Sequence, residues 1–323
     1  MPTALITGVS GQDGSYLAEF LLGQEYHVIG TTRDARRALH LPWARALAGV
    51  DLVELPDAQD VADLVRSRKP DEVYHLGGPS KVSTSWDDPA GTEQGIVLFT
   101  ALILDAIVDM LPSPRLFAAG SCEIFAAQGE AQDESAPLDP QSPYARAKLE
   151  ALELVRAARE RFGVYAATGI LFNHESPRRG AEFVTGKIAR AAARIASGQE
   201  RGVSLGNIGV RRDWGFAGDY VHAMWLMQFQ DEPQDLVIGT GEAHSVSDFC
   251  DVAFRRVGLN WKDHVKVDPA LIRRADAPLR LANPARAKAR LRWTPEVDFE
   301  RLVGMMVDSE MADGGRPMAD DSR

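Results

Sequence analysis

Cysteine is almost missing from this chain. Cys122 and Cys250 are the only two in 323 residues, so neither a disulfide framework nor a four-cysteine zinc site can be built, and a reducing, cytoplasmic setting is expected. Surplus positive charge is missing as well. Lys and Arg number 36 against 46 Asp and Glu, a net charge of -10, which repels nucleic-acid backbones and anionic membranes; neither is expected as a partner, and a phosphate-bearing ligand must find its own local donors. There is no uninterrupted apolar run of membrane length. The longest, Ile96 to Leu111, contains Thr100, Asp105 and Asp109 and falls short of the roughly 20 residues a bilayer needs. It reads as a helix buried on most sides, which requires cover beyond its own sheet and so suggests a second subunit. The opening Met1-Pro2-Thr3-Ala4 lacks the basic and apolar regions of a secretory signal. With 28 Gly, 18 Pro, 45% hydrophobic and 25% charged residues, low complexity is excluded, and the length allows two domains or one large α/β unit carrying a lobe.

What is present alternates. Strand-like runs at Thr3–Thr7, Tyr26–Thr31, Val50–Glu54, Glu72–Leu76, Arg115–Ala119 and Tyr165–Leu171 are separated by helical stretches at Ser15–Gln24, Val61–Ser67, Gly95–Leu111 and from Pro143 to about Arg161. That rhythm predicts an α/β fold: a Rossmann-type doubly wound parallel sheet, with a smaller C-terminal substrate-binding α/β lobe where the pattern becomes irregular after Asn173. The expected division gives residues 1–172 to the sheet with a returning segment near 213–240, residues 173–212 and 241–312 to the lobe, and 313–323 to a frayed tail.

Two motifs carry chemistry. Directly after the first run stands Thr7-Gly8-Val9-Ser10-Gly11-Gln12-Asp13-Gly14, a Gly-x-x-Gly-x-x-Gly series opening a helix, where a tight turn and free helix amides suit a pyrophosphate. After the second run comes Thr32-Arg33-Asp34-Ala35-Arg36-Arg37. Arg33, backed by Arg36 or Arg37, favours the 2′-phosphate of NADP, although Asp34 at the next place leaves ribose binding, and hence NAD, open. Downstream, Ser142-Pro143-Tyr144-Ala145-Arg146-Ala147-Lys148 has a helix N-cap, a proline at the first helical position, and Tyr144 and Lys148 four apart on one face. An ammonium beside a phenol lowers its pKa toward the working range of a general base. Cys122 lacks a dedicated base partner and reads as packing. Without His-x-x-x-His or clustered cysteine spacing, and with His174 standing alone, no metal is expected.

The glycine loop, Ser121 after the strand Arg115–Ala119, and the Tyr144/Lys148 pair resemble the extended short-chain dehydrogenase/reductase family. Longer strings narrow the resemblance to its GDP-mannose 4,6-dehydratases: Gly11-Gln12-Asp13-Gly14-Ser15-Tyr16-Leu17-Ala18-Glu19, Leu171-Phe172-Asn173-His174-Glu175-Ser176-Pro177-Arg178-Arg179-Gly180, Arg212-Asp213-Trp214-Gly215 and Thr240-Gly241-Glu242. The likeness runs from about Ala4 to about Val307. It implies a hydro-lyase that turns a nucleotide-hexose into its 4-keto-6-deoxy form by internal hydride transfer through bound NADP. A nucleotide-sugar epimerase or 4-keto reductase of the same family is the alternative.

The resemblance also assigns roles. Tyr144 would take the 4-hydroxyl proton, Lys148 would tune it, Ser121 would bond O4, and Glu123 would remove the C5 proton. Cofactor contacts are expected from Gly8, Gly11, Gln12, Asp13, Gly14, Arg33, Leu55, Leu76, Ser80, Tyr144, Lys148, Leu171, Asn173, His174 and Arg179. Substrate contacts are expected from Ser80, Ser85, Glu123, Asn173, Arg178, Val184, Lys187, Gly206 and Arg212, the diphosphate falling to Lys187 and Arg212. The sequence departs from the family at Gly78-Pro79-Ser80-Lys81, at Phe125-Ala126, and at Arg274-Ala275-Asp276-Ala277-Pro278, where the family's base-reading glutamate is missed. The family pairs its Gly95–Leu111 and Tyr144 helices across a homodimer. The loop that builds a tetramer is shorter here between Arg33 and Val50, which leaves a homotetramer open.

Overall fold

The structure, a computed structural model, describes residues 1–55, 57–127, 129–272 and 276–314. Most of the expected tail, residues 315–323, and the pair Arg274-Ala275 lie outside the described residues. Six strands, β1 (Thr3–Thr7), β2 (His27–Thr32), β3 (Asp51–Glu54), β4 (Glu72–His75), β5 (Arg115–Ala119) and β6 (Ala166–Leu171), are joined by a seventh, Leu236–Ile238. All pair in parallel in the order Leu236–Ile238, β6, β5, β4, β1, β2, β3. The order reverses between β1 and β4, and the carboxyl ends of strands flanking such a switch point form a crevice.

Strands covered on both faces must be apolar on both faces. Ala4 and Ile6 of β1 pack on one side with Leu17, Leu21 and Met224, while Leu5 between them packs on the other with Val61, Val65, Ile103 and Ile107. The helix beneath the second face starts earlier than expected. Asp88 accepts from the Gly91 amide and Pro89 takes the first turn, so the helix runs Pro89–Val108 through a π-helical turn at Gln94–Leu98. It is long and apolar enough to cross a membrane by composition, yet it lies between the helices Val61–Arg68 and Pro143–Phe162, with Ile103, Ala106 and Ile107 buried.

A second core gathers around Trp214, Phe249, Phe254 and Phe299, between the helices Val184–Ala196, Val246–Arg256 and Phe299–Ala312. Full burial of each such side chain contributes roughly 1.5–3 kcal/mol. One boundary moves. Ala287, Leu291 and Trp293, expected in the lobe, pack in the core of the sheet, because the Trp293 indole donates to Asp219 O at 3.0 Å and its ring meets Tyr220 edge-on.

Candidate functional site

Gly8 turns the chain out of β1 with φ +72, and a Cβ there would come within 2.9 Å of Gly77 Cα beyond β4. The switch-point crevice therefore closes only around glycine. A Cβ on Gly14 would sit 2.3 Å from Gly8 O, so the loop and the first turn of α1 (Gln12–Gly23) are in backbone contact. The N-cap of α1 is Gly11, which brings no side chain to the first-turn amides, and these remain directed at the crevice. Leu76 and Gly77 amides both donate to Thr7 Oγ1, at 3.1 and 2.9 Å. Because that oxygen accepts twice, its own proton goes to His75 Nδ1 2.9 Å away. Burial brings His75 down to about 3, so it stays neutral and stitches β1 to β4.

Asp13 and His174, expected as separate cofactor contacts, form one brace. His174 Nε2 lies 2.8 Å from Asp13 Oδ2, and its Nδ1 lies 2.8 Å from Phe172 O. Burial opposes the charge on both members of this pair, but the mutual attraction outweighs it: the His174 imidazole is raised above its ordinary value and the Asp13 carboxyl lowered. Gln12 completes the brace, donating to His174 O and accepting from Ser176 Oγ. Arg33 is exposed at the end of β2. Asp34 caps the short helix Ala35–Ala38 through the Arg37 amide. Leu55 is buried after β3.

A cleft of about 340 Å³ runs from this crevice into the lobe. It is lined by Ser121, Glu123, Tyr144 and Lys148, together with Asp13, Leu76, Ser80, Leu171, Asn173, His174, Arg179, Val184, Lys187, Gly206 and Arg212. Ser142 caps the helix Pro143–Phe162 through the Ala145 amide at 3.1 Å, which sets Tyr144 and Lys148 facing the cleft as the spacing predicts. Their coupling differs from the expectation. Burial raises the Tyr144 phenol well above its ordinary value; the hydrogen bond with Ser121 works against that rise. Burial brings Lys148 down to about 8, Asp13 pulling the other way. Lys148 Nζ donates to Ala119 O at 2.7 Å and stands 5.9 Å from the Tyr144 ring centre, and the groups that favour the phenolate here are Ser121 first and then the Arg179 charge, rather than Lys148. Burial pushes the Cys122 thiol up to about 12, in keeping with packing.

Several substrate residues are placed differently from expectation. Arg178 leaves the cleft: its guanidinium lies over Tyr16 at 3.8 Å and donates to Ser15 Oγ and Glu19 Oε2. Ser85 is buried, bonded to Val82 O, and lies outside the lining. Phe125 faces Phe172 in the core, so that departure from the family pattern does not touch the cleft. Arg212 lines it but is already engaged, by Asp276 Oδ1 at 2.6 Å and Ala277 O at 2.8 Å; burial lowers its pKa while Asp276 raises it. Lys187 Nζ donates to Ser204 O at 2.7 Å. The segment that departs from the family's glutamate thus supplies a carboxylate of its own, Asp276, to the cleft. Sequence reasoning missed Asp276 and Arg280, and it missed the ion pair of Lys81 with Glu182 at 3.5 Å beside the Phe183 ring. None belongs to a local motif; only the charge of Asp276 in an otherwise mismatched stretch offered a signal.

The sequence profile of the GDP-mannose 4,6 dehydratase family matches residues 5–306. The chain belongs to that family. It is 43% identical over 322 residues to GDP-mannose 4,6 dehydratase 2 of Arabidopsis thaliana, covering 95% of this chain and 86% of the relative. It is 40% identical to the human GDP-mannose 4,6 dehydratase, covering 95% and 91%. Among solved structures, UDP-glucose 4-epimerase of Thermus thermophilus, complexed with NAD, superposes with a TM-score of 0.82 at 25% identity, over 95% of this chain and 98% of that one. The family assignment makes the chain a nucleotide-sugar 4,6-dehydratase, a hydro-lyase.

Proposed function

We propose that the chain dehydrates GDP-mannose to its 4-keto-6-deoxy product with NADP as resident cofactor. The observation that carries this reading is the placement of Glu123 in the cleft with Ser121 and Tyr144: a second base, a carboxylate, beside a serine–tyrosine pair serves loss of a C5 proton, which a 4-epimerase or a 4-keto reductase does not require. The residues fit a dinucleotide. The glycine crevice admits no Cβ, and Asn173 Oδ1 is buried without a hydrogen-bond partner, which leaves an acceptor for a ligand. Arg33 at the end of β2 favours the 2′-phosphate, since Asp34 already caps a helix.

The glycine crevice, Asn173 and Arg33 would hold the nicotinamide cofactor, which would supply reversible hydride transfer between C4 and C6. Around it, Tyr144 takes the O4 proton, Ser121 holds O4, and Lys148, tied to Ala119 O, supplies positive charge beside the ribose. Glu123 removes the C5 proton once C4 is a ketone, and hydroxide leaves C6. Arg212 and Lys187 face the diphosphate. The wider assignment holds together with it: residues 1–172 with a returning 213–240 segment bind cofactor, 173–212 and most of 241–312 bind substrate, and the helices Pro89–Val108 and Pro143–Phe162 pair with their copies in a cytoplasmic homodimer, an assembly that light scattering reads directly. In Glu123→Gln, bound NADP is retained and solvent deuterium no longer enters C5; exchange at the wild-type rate would overturn the assignment.

A further inference from the structure

Behind Glu123, on the side away from the cleft, stands a buried cation. Arg280 is 3% exposed and sits on the short strand Leu279–Arg280, which pairs in parallel with Arg211–Arg212 so that Arg280 is the register partner of Arg212. Two guanidiniums thus lie side by side, each with its own carboxylate: Asp276 for Arg212 at 2.6 Å and Glu123 for Arg280 at 3.4 Å. Arg280 does not line the cleft, whereas Glu123 and Arg212 do.

Stability does not call for an arginine at this place. Taking a guanidinium out of water costs more than an apolar side chain in the same space, and apolar replacement of buried ion pairs is often neutral or stabilising. Its hydrogen bonding is incomplete as well, since Arg280 Nε is buried without a partner. What the fork does reach is one turn of chain. Nη1 donates to Phe125 O at 2.8 Å and Nη2 to Glu123 Oε2, so Arg280 holds both the end of the Cys122–Ile124 turn and the carboxylate that projects from it. The strand carrying it is fixed in turn. Asp213 N donates to Arg280 O at 2.8 Å, and the buried Asp213 carboxylate accepts from Thr240, Gly241 and Ala282. A side chain locked on a pinned element is what holds a reacting group in one orientation.

We propose that Arg280 is a positioning residue for Glu123: it grips one carboxylate oxygen from behind so that the other is presented to the C5 hydrogen of the sugar. This rests on Glu123 as the C5 base. The step it serves is a proton transfer in which the C5–H pair stays on the sugar, becomes the C5–C6 double bond as hydroxide leaves C6, and the proton passes to Glu123.

The full-length enzyme with its cofactor, assayed with GDP-mannose carrying hydrogen or deuterium at C5, tests this in Arg280→Gln and Arg280→Lys. In Arg280→Gln, which keeps a donor for Phe125 O, kcat falls about 100-fold, within the usual contribution of a positioned base, KM changes less than about threefold, and the C5 isotope effect on kcat rises. Arg280→Lys regains about tenfold of that loss through its charge. Added to Glu123→Gln, the Arg280→Gln change costs no further rate. A fall in kcat with an unchanged isotope effect, or losses that add in the double variant, would show a merely structural arginine and overturn the proposal. If Arg280→Gln does not fold, Arg280→Lys decides alone: a drop of about tenfold with a raised isotope effect supports positioning, and wild-type kcat refutes it. Active Glu123→Gln would remove the base assignment and this proposal with it, whereas inactive Glu123→Gln beside fully active Arg280→Gln removes this proposal only.

Discussion

The two ends of the cleft are made of different material. At the sheet end the recognition surface is backbone: a glycine crevice with φ +72 at Gly8, a helix N-terminus capped by Gly11, and amides stitched through Thr7. At the lobe end it is side chain, and the three cations expected to meet substrate all have prior partners: Asp276 for Arg212, Ser204 O for Lys187, and Glu19 for Arg178, which is drawn out of the cleft altogether. Backbone donors come preorganised, while paired cations must be shared or released when an anion arrives. The contrast teaches that cofactor retention here depends little on any one side chain and that substrate capture depends heavily on a few.

The sharpest break of this contrast is Arg212→Ala. It removes a phosphate-facing cation and strands the Asp276 carboxylate, and KM for the nucleotide-sugar should rise about 100-fold, the scale of one or two charge-assisted hydrogen bonds. At the other end, Arg33→Ala should weaken NADP about tenfold by titration, on the scale of one exposed charge-assisted contact, and leave NAD unchanged. Equal losses from the two substitutions would erase the distinction. A flat NADP/NAD preference in the wild-type chain would remove the role of Arg33.

The smallest expected effect probes the joint between the ends. His174 is raised above its ordinary 6.5, so its contribution is complete below that pH and is lost as pH rises through the higher folded-state value. Asp13 is lowered below 3.8, so its contribution is present above that pH and is lost as pH falls through the lower one. The brace therefore stabilises most near pH 5–6. His174→Gln should cost about 1.5–3 kcal/mol by denaturant unfolding at pH 6 and clearly less at pH 9. A pH-independent loss would mean that stacking on Tyr220, at 4.6 Å, rather than charge holds the joint.

How far the sequence could be read follows the same division. The first six strand segments, the glycine loop and the Tyr144/Lys148 helix are local: period, caps and spacing within some twenty residues decide them, and the structure places them where the pattern predicts, with the helix Pro89–Val108 starting early because Asp88 and Pro89 cap it. Arg178, Ser85, Asp276 and Arg280 depend on what lies more than sixty positions away or on a local turn that a family pattern does not describe. Arg178 meets Glu19, Arg280 meets Glu123, and Asp276 meets Arg212. The charge was visible in each, but not its partner. Trp293 shows the same limit for the fold: its place in the chain put it with the lobe, and only its contact with Tyr220 shows that it belongs to the core of the sheet.

The central claim is that this cleft removes water from GDP-mannose with Glu123 as the C5 base. The most direct measurement incubates the purified chain with GDP-mannose in deuterated water and follows the sugar nucleotide by mass spectrometry and NMR. The account predicts a 4-keto-6-deoxy product lighter by one water with one deuterium at C5. A sugar of unchanged composition, epimerised or untouched, would contradict it.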